Sequence, residues 1–306
     1  MRRDLHYTDR ATGKEEKERV YGRFFLHLLY GNRFFSLFVL PLIACFPCFS
    51  RWYGRKQKGV RSRKKILPFI ERFRVDRSEF VDSVETFASF NDFFIRKLKK
   101  TVRPVTPGEH IVTFPADGRH AAYPEVCEST AFRVKGRSFA PVEFLQDAAL
   151  ADAYASGSAL ISRLSPSDCH RFHFPCSCTP GKARLIKGSL YSVNPFALER
   201  RYGILCENKR MITELKTALF GTILYVEVGA TFVGSVRQTY SSDQPVEKGE
   251  EKGYFEFGGS CIVLLFLPGK LLFDEDLIAT PRGGQEVKAN MGERCGQARR
   301  ATEEKV

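Results

Sequence analysis

Two periodicities divide the chain. From Val20 to Leu29, and again through the run Phe34–Phe49, apolar and aromatic residues crowd together in a way that predicts helices. The second run is shorter than the about 20 residues a spanning helix needs. Pro41 and Pro47 also interrupt it, so it is expected to lie in a membrane interface or to re-enter it; a buried helical hairpin is the alternative. Ser89–Lys99 reads as a capped helix, with Asn91 accepting from the first free amide groups and Arg103-Pro104 ending it. Beyond that point the pattern changes to short β-like runs: Ala159–Leu164, Ala183–Val193, Thr222–Val228, Thr231–Thr239 and Cys261–Leu267, each bounded by Gly, Pro or Ser. From about Gly283 the tail is polar, and only partial order is expected.

The expected class is therefore α+β: a mainly antiparallel β core, as a sandwich or partly open barrel, with membrane-associated helices at its N-terminal side. Residues 1–78 form the basic and apolar helical region, 79–297 the principal domain and 298–306 a polar tail. Charge sharpens the membrane expectation. The chain of 306 residues carries a formal net charge of +13, which predicts attraction to a polyanion. Ten basic residues and one acidic residue lie between Arg51 and Arg74, directly after the apolar run. That order suits an anionic membrane surface, approached as a peripheral or monotopic protein from the cytoplasmic side. The aromatic residues concentrate in apolar runs rather than interleaving with basic ones, so nucleic acid is not the expected partner. Nine cysteines, an odd number without framework spacing, fit a reducing compartment, and no secretory signal opens the chain.

The candidate chemistry centres on Gly258-Gly259-Ser260-Cys261, between a charged turn and a very apolar strand. A glycine at 259 leaves its carbonyl carbon unshielded by a Cβ, open to attack by the neighbouring hydroxyl. Two other motifs supply partners: Phe114-Pro115-Ala116-Asp117-Gly118, and Cys169-His170-Arg171-Phe172-His173-Phe174-Pro175. Asp117, His173 and Ser260 are an orienting carboxylate, a base and a nucleophile in the Ser-His-Asp pattern. His170 and His173, three apart on an extended segment, are expected to face different sides and hold different roles.

These segments, with Phe90–Leu98, Leu190–Pro195, Glu207–Arg210, Val228–Val236, Lys248–Phe257 and Met291–Gly296, occur in the order found in phosphatidylserine decarboxylases of the bacterial membrane-associated type. The chain resembles that family over roughly residues 84–297. The resemblance implies a zymogen that cuts itself between Gly259 and Ser260 into a long chain, 1–259, and a short chain, 260–306. Ser260 would become a covalent pyruvoyl group, the cofactor, which forms a Schiff base with phosphatidylserine and accepts the electrons freed as carbon dioxide departs. Phosphatidylethanolamine is the implied product. By the same resemblance His170 protonates the carbanion or positions the carboxylate. The expected partners are phosphatidylserine, an anionic membrane surface and the other chain of the same precursor, with a homo-oligomer left open.

Departures from the pattern keep rivals open. Cys261 stands where the family commonly has threonine, and Cys169 where it has tyrosine. His170, His173, Cys176 and Cys178 form a His-x-x-His-x-x-Cys-x-Cys array, but a strand of alternating faces does not converge four ligands, so no metal is expected. The alternatives are an unprocessed, noncatalytic lipid-binding homologue and a pyruvoyl decarboxylase of another amino-acid-like substrate.

Overall fold

Seven consecutive buried residues, Ser260–Phe266, form a strand in the middle of a ten-stranded sheet. The computed structural model describes residues 5–45, 47–126, 141–201, 203–231, 235–258, 260–278 and 286–299. In spatial order the sheet runs Lys14–Lys17, His6–Asp9, Glu286–Ala289, Gly118–Tyr123, Ser158–Leu164, Ser260–Phe266, Thr222–Gly229, Arg210–Lys216 and Thr179–Pro180, with Arg184–Ile186 also on the Arg210–Lys216 strand. Every pairing is antiparallel except that of His6–Asp9 with Glu286–Ala289. The order does not close on itself among the described residues, so the core is an open sheet rather than a barrel.

The central strand is apolar on both faces because both are covered. Cys261, Val263 and Leu265 pack on one side with Ile161, Val226 and the helical residues Phe144 and Leu205. Ile262, Leu264 and Phe266 pack on the other with Leu164, Tyr225, Phe172 and Phe255. Two three-stranded sheets flank the large one: Val236–Gln238, Glu251–Phe255 and Arg171–His173, and Leu271–Phe273, Arg294–Ala298 and Ile111–Thr113. A third, phenylalanine-rich cluster gathers Phe69, Phe80, Phe87, Phe90, Phe93, Phe94 and Phe257.

The N-terminal region is mostly helical: Arg23–Gly31, a π-helical turn at Phe35–Val39, Leu40–Cys45, Pro47–Lys58 and Ile66–Phe73. No single helix among the described residues is long and apolar enough to cross a membrane; Arg23–Gly31 and Phe35–Cys45 meet at a 93° bend. The side chains of Phe24, Phe25, Phe34, Leu37, Phe38, Leu42 and Trp52 stand more than half exposed.

Several elements differ from the sequence expectation. Residues 1–78 are not wholly a helical region, because His6–Asp9 and Lys14–Lys17 form a hairpin that extends the main sheet. Glu18, just after it, accepts from Arg163 Nη1 and Nη2 at 3.0 and 2.8 Å, a buried pair that pins this segment to the core. The polar tail holds two strands, Glu286–Ala289 and Arg294–Ala298, because each finds an edge to pair with. The helix near residue 90 spans only Phe90–Phe94, and its N-cap is Ser89, whose Oγ accepts from Asp92 N at 3.1 Å. Asn91 is free of that duty. The run expected over 183–193 is a strand only at Arg184–Ile186, and that over 231–239 only at Val236–Gln238, with residues 232–234 outside those described.

Candidate active site

Ser260 opens the central strand, paired with Gly229 on one side and Leu164 on the other, and it is fully buried. Its Oγ lies 3.0 Å from His170 Nδ1. The far ring nitrogen, Nε2, lies 3.0 Å from the Ser165 carbonyl oxygen. A carbonyl only accepts, so Nε2 carries the ring proton, Nδ1 is bare and the Ser260 hydroxyl donates to it. Burial pushes the His170 pKa down to about 3, against the pull of the Asp168 carboxylate. The imidazole is therefore a neutral acceptor at physiological pH. Its ring stacks on Phe94 at 3.9 Å between centroids, and its carbonyl accepts from Phe255 N at 2.9 Å. Those contacts fix ring and backbone together.

Asp168 was not singled out in the sequence. It accepts from Ser165 N at 2.7 Å and is paired with the Arg119 guanidinium. Burial opposes ionisation, but Arg119 holds the carboxyl below the usual carboxylate range. The signal was present in Ser165-Pro166-Ser167-Asp168, a turn sequence just ahead of the histidine.

The structure brings Ser260 together with His170, where the Ser-His-Asp pattern had set His173. Asp117 and His173 lie elsewhere, on the wall of a cavity of about 720 Å³ whose lining includes neither Ser260 nor His170. Asp117 accepts from Arg103 Nε and Nη2, both at 2.9 Å, and from Met291 N at 2.9 Å, and no hydrogen bond joins it to His173. Arg103 also holds Glu79 at 3.0 Å, a clamp that sequence reasoning missed. His173 donates its backbone N–H to Pro115 O at 2.7 Å, and its Nδ1 is buried with no hydrogen-bond partner. Burial lowers its pKa, with Glu251 and Asp117 pulling the other way. The two histidines thus face different surroundings: His170 sits just ahead of the strand Arg171–His173, and His173 ends it.

Gly259 lies outside the described residues. Gly258 has φ 142°, a conformation that favours glycine. Cys261 points to the opposite face of the sheet from Ser260, toward Ile161 and Leu205, and burial pushes its thiol up to about 12. Strand alternation keeps it from competing with Ser260 for His170. Among the described residues no group of three His, Cys, Asp or Glu side chains gathers to hold a metal.

The family model for phosphatidylserine decarboxylase matches residues 90–297, which include Asp117, both histidines and Ser260. The chain belongs to the phosphatidylserine decarboxylase family. Relatives extend the match to nearly the whole chain. The phosphatidylserine decarboxylase proenzyme of Chlamydia pneumoniae is 43% identical over 297 residues, covering 96% of this chain and 97% of the relative. That of Chlamydia felis is 44% identical over 294 residues, covering 96% and 98%. The proenzyme of Fusobacterium nucleatum is 41% identical over 292 residues, covering 95% and 97%. In this phosphatidylserine decarboxylase family member the N-terminal helices therefore lie largely ahead of the family-model match but within the aligned length of its relatives.

Proposed function

We propose that this chain is a self-cleaving precursor whose mature form decarboxylates phosphatidylserine to phosphatidylethanolamine, using a pyruvoyl group made from Ser260. The observation that carries the reading is the Ser260 hydroxyl donating to the neutral His170 Nδ1 in a buried site. His170 takes the hydroxyl proton; burial opposes the resulting imidazolium, and the nearby Asp168 charge offsets part of that cost. Oγ attacks the Gly259 carbonyl carbon, the peptide C–N bond breaks, and the departing amine of residue 260 takes the proton back from His170. Loss of the α-proton and departure of the Gly259 carboxylate leave a dehydroalanine at residue 260. One water then replaces its nitrogen, which leaves as ammonia.

The surroundings of residue 260 fit a pyruvoyl group: they are buried, and a neutral imidazole with a fixed tautomer faces the position. When present, that group supplies an electron sink for the loss of carbon dioxide. His170 remains beside it, placed to hold or return a proton at the reacting carbon. The cavity that holds His173 and Asp117 is the proposed seat of the phosphodiester headgroup: Lys97, Lys99, Lys100 and Lys248 line it, beside the paired Arg103 and Arg171 and the acidic Glu250 and Glu251.

The exposed aromatic face of the N-terminal helices is the proposed seat on the membrane. Phe24 and Phe25 are 73% and 66% exposed, Phe38 61% and Trp52 56%. Each such side chain gains about 1 kcal/mol or more on leaving water. The basic residues between 51 and 74 add about 1 kcal/mol apiece near anionic lipid, weakened by salt. Peripheral or monotopic attachment on the cytoplasmic side follows from this reading.

The deciding experiment is intact mass spectrometry of purified protein beside Ser260→Ala. We expect a short chain beginning at residue 260 with a blocked, hydrazine-reactive N-terminus, and an uncut Ser260→Ala with no decarboxylase activity. A Ser260→Ala protein cut at the same place and active would refute the proposal, and an uncut wild type would identify a noncatalytic homologue.

A further inference from the structure

The chain just ahead of Ser260 is held by residues that lie far upstream in sequence. Phe257 donates its backbone N–H to Asn91 Oδ1 at 2.9 Å, in a buried setting. Its ring lies 4.9 Å from Phe94, 5.2 Å from Phe90, 5.9 Å from Tyr53 and 6.2 Å from Tyr21, centroid to centroid. Glu256 before it accepts from Lys58 Nζ at 2.7 Å and donates its N–H to Ser235 O at 3.1 Å. On the other side, Ser260 is fixed by pairing with Leu164 and Gly229. Only residues 258 and 259 separate the two anchors. Phe94, part of the same aromatic cage, also stacks on His170.

We infer that Asn91, with the aromatic cage around Phe257, is a positioning residue for self-cleavage, holding the chain upstream of the 259–260 peptide bond in register with Ser260 and His170. The inference rests on the proposed cut at Ser260. A serine can attack its own preceding carbonyl only if the short segment carrying that carbonyl is held against rotation away from Oγ. Among the described residues the buried Phe257 N–H has one acceptor, Asn91 Oδ1, which fixes the orientation of the 256–257 peptide unit just upstream of that segment. Asn91 does so at no cost to its helix, because Ser89 does the capping. The clamp comes from the N-terminal half of the molecule, so the cut is enabled only when residues 21–94 have docked on the sheet.

The test is the rate at which freshly purified full-length precursor converts to two chains, followed by denaturing gel and intact mass. Asn91→Leu removes the acceptor, whereas Asn91→Asp keeps an oxygen at the same place in either protonation state. We expect Asn91→Leu to mature about 10- to 100-fold more slowly, the scale of a misplacement near 1 Å, and Asn91→Asp to stay within about threefold of wild type. Melting temperatures are compared in the uncut Ser260→Ala background, so that cleavage does not enter them. Should Asn91→Leu fail to fold, Phe257→Leu, which loosens the cage but keeps the hydrogen bond, is expected to slow maturation by about 10-fold. Maturation of folded Asn91→Leu, or of Phe257→Leu in its place, at the wild-type rate would overturn the inference. So would Asn91→Asp as slow as Asn91→Leu, which would mark a merely structural role. A cut Ser260→Ala protein would instead refute the underlying reading of the cleavage site.

Discussion

His120 and His170 share an unusual condition: both are fully buried, and burial pushes the pKa of each down to about 3. His120 sits 2.8 Å from Ser162 Oγ through Nδ1 and 3.3 Å from the Ala289 carbonyl oxygen through Nε2. In the unfolded chain each returns to about 6.5. Between those values the unfolded state binds more protons, so stability falls as pH drops below about 6.5 and is at its full value above it. At pH 5 the loss is on the order of 2 kcal/mol per histidine. Denaturant unfolding of wild type and His120→Gln at pH 7.5 and pH 5 checks this: the variant is expected to lose clearly less between the two pH values. Equal losses would show that His120 does not titrate as described. At this scale the sequence identified the reacting types but not their pairing. The sequence assigned His170 and His173 different roles, but it set His173 rather than His170 beside Ser260. Their difference comes from the Phe255–His170 and His173–Pro115 backbone bonds, which link segments far apart in the chain.

The N-terminal helices carry two faces. On Pro47–Lys58, Trp52 points outward beneath Lys56, whose Nζ lies 3.7 Å from the ring centroid, while Tyr53 and Lys58 reach the segment ahead of Ser260. The outward residues make almost no structural contribution, so replacing Phe24, Phe25, Phe34 and Phe38 together with serine is expected to leave the melting temperature within about 2 °C. Flotation with vesicles containing anionic lipid should weaken by at least about 100-fold, from about 1 kcal/mol or more per side chain. Undiminished flotation would place the membrane contact elsewhere. The apolar run announced this face, but the sharp bend falls between Gly31 and Phe35, ahead of both prolines, and Pro41 lies within Leu40–Cys45. The hairpin His6–Asp9 with Lys14–Lys17 had no such signal. Lys14-Glu15-Glu16-Lys17 is polar and exposed throughout, and it becomes a strand only because an edge is available to it.

Across the whole molecule, the described strands that follow residue 259 are interleaved with strands from earlier in the chain. Ser260–Phe266 lies between Ser158–Leu164 and Thr222–Gly229, Glu286–Ala289 between His6–Asp9 and Gly118–Tyr123, and Arg294–Ala298 beside Ile111–Thr113. A cut ahead of Ser260 therefore severs the chain without separating the sheet. Native mass spectrometry of matured protein is expected to find the two chains bound 1:1, parting only in denaturant. Loss of the short chain during gel filtration would contradict the fold.

What the sequence by itself determined is local. Alternation and apolar runs placed the central strands, and the ordered motifs indicated the family. Tertiary structure alone decided which histidine meets Ser260, that Arg103 and Met291 occupy Asp117, and that Asn91 holds Phe257. The physical reason is separation along the chain. Residues 90 and 166 positions apart become neighbours through strand pairing and helix docking, and such contacts leave no periodicity in either segment.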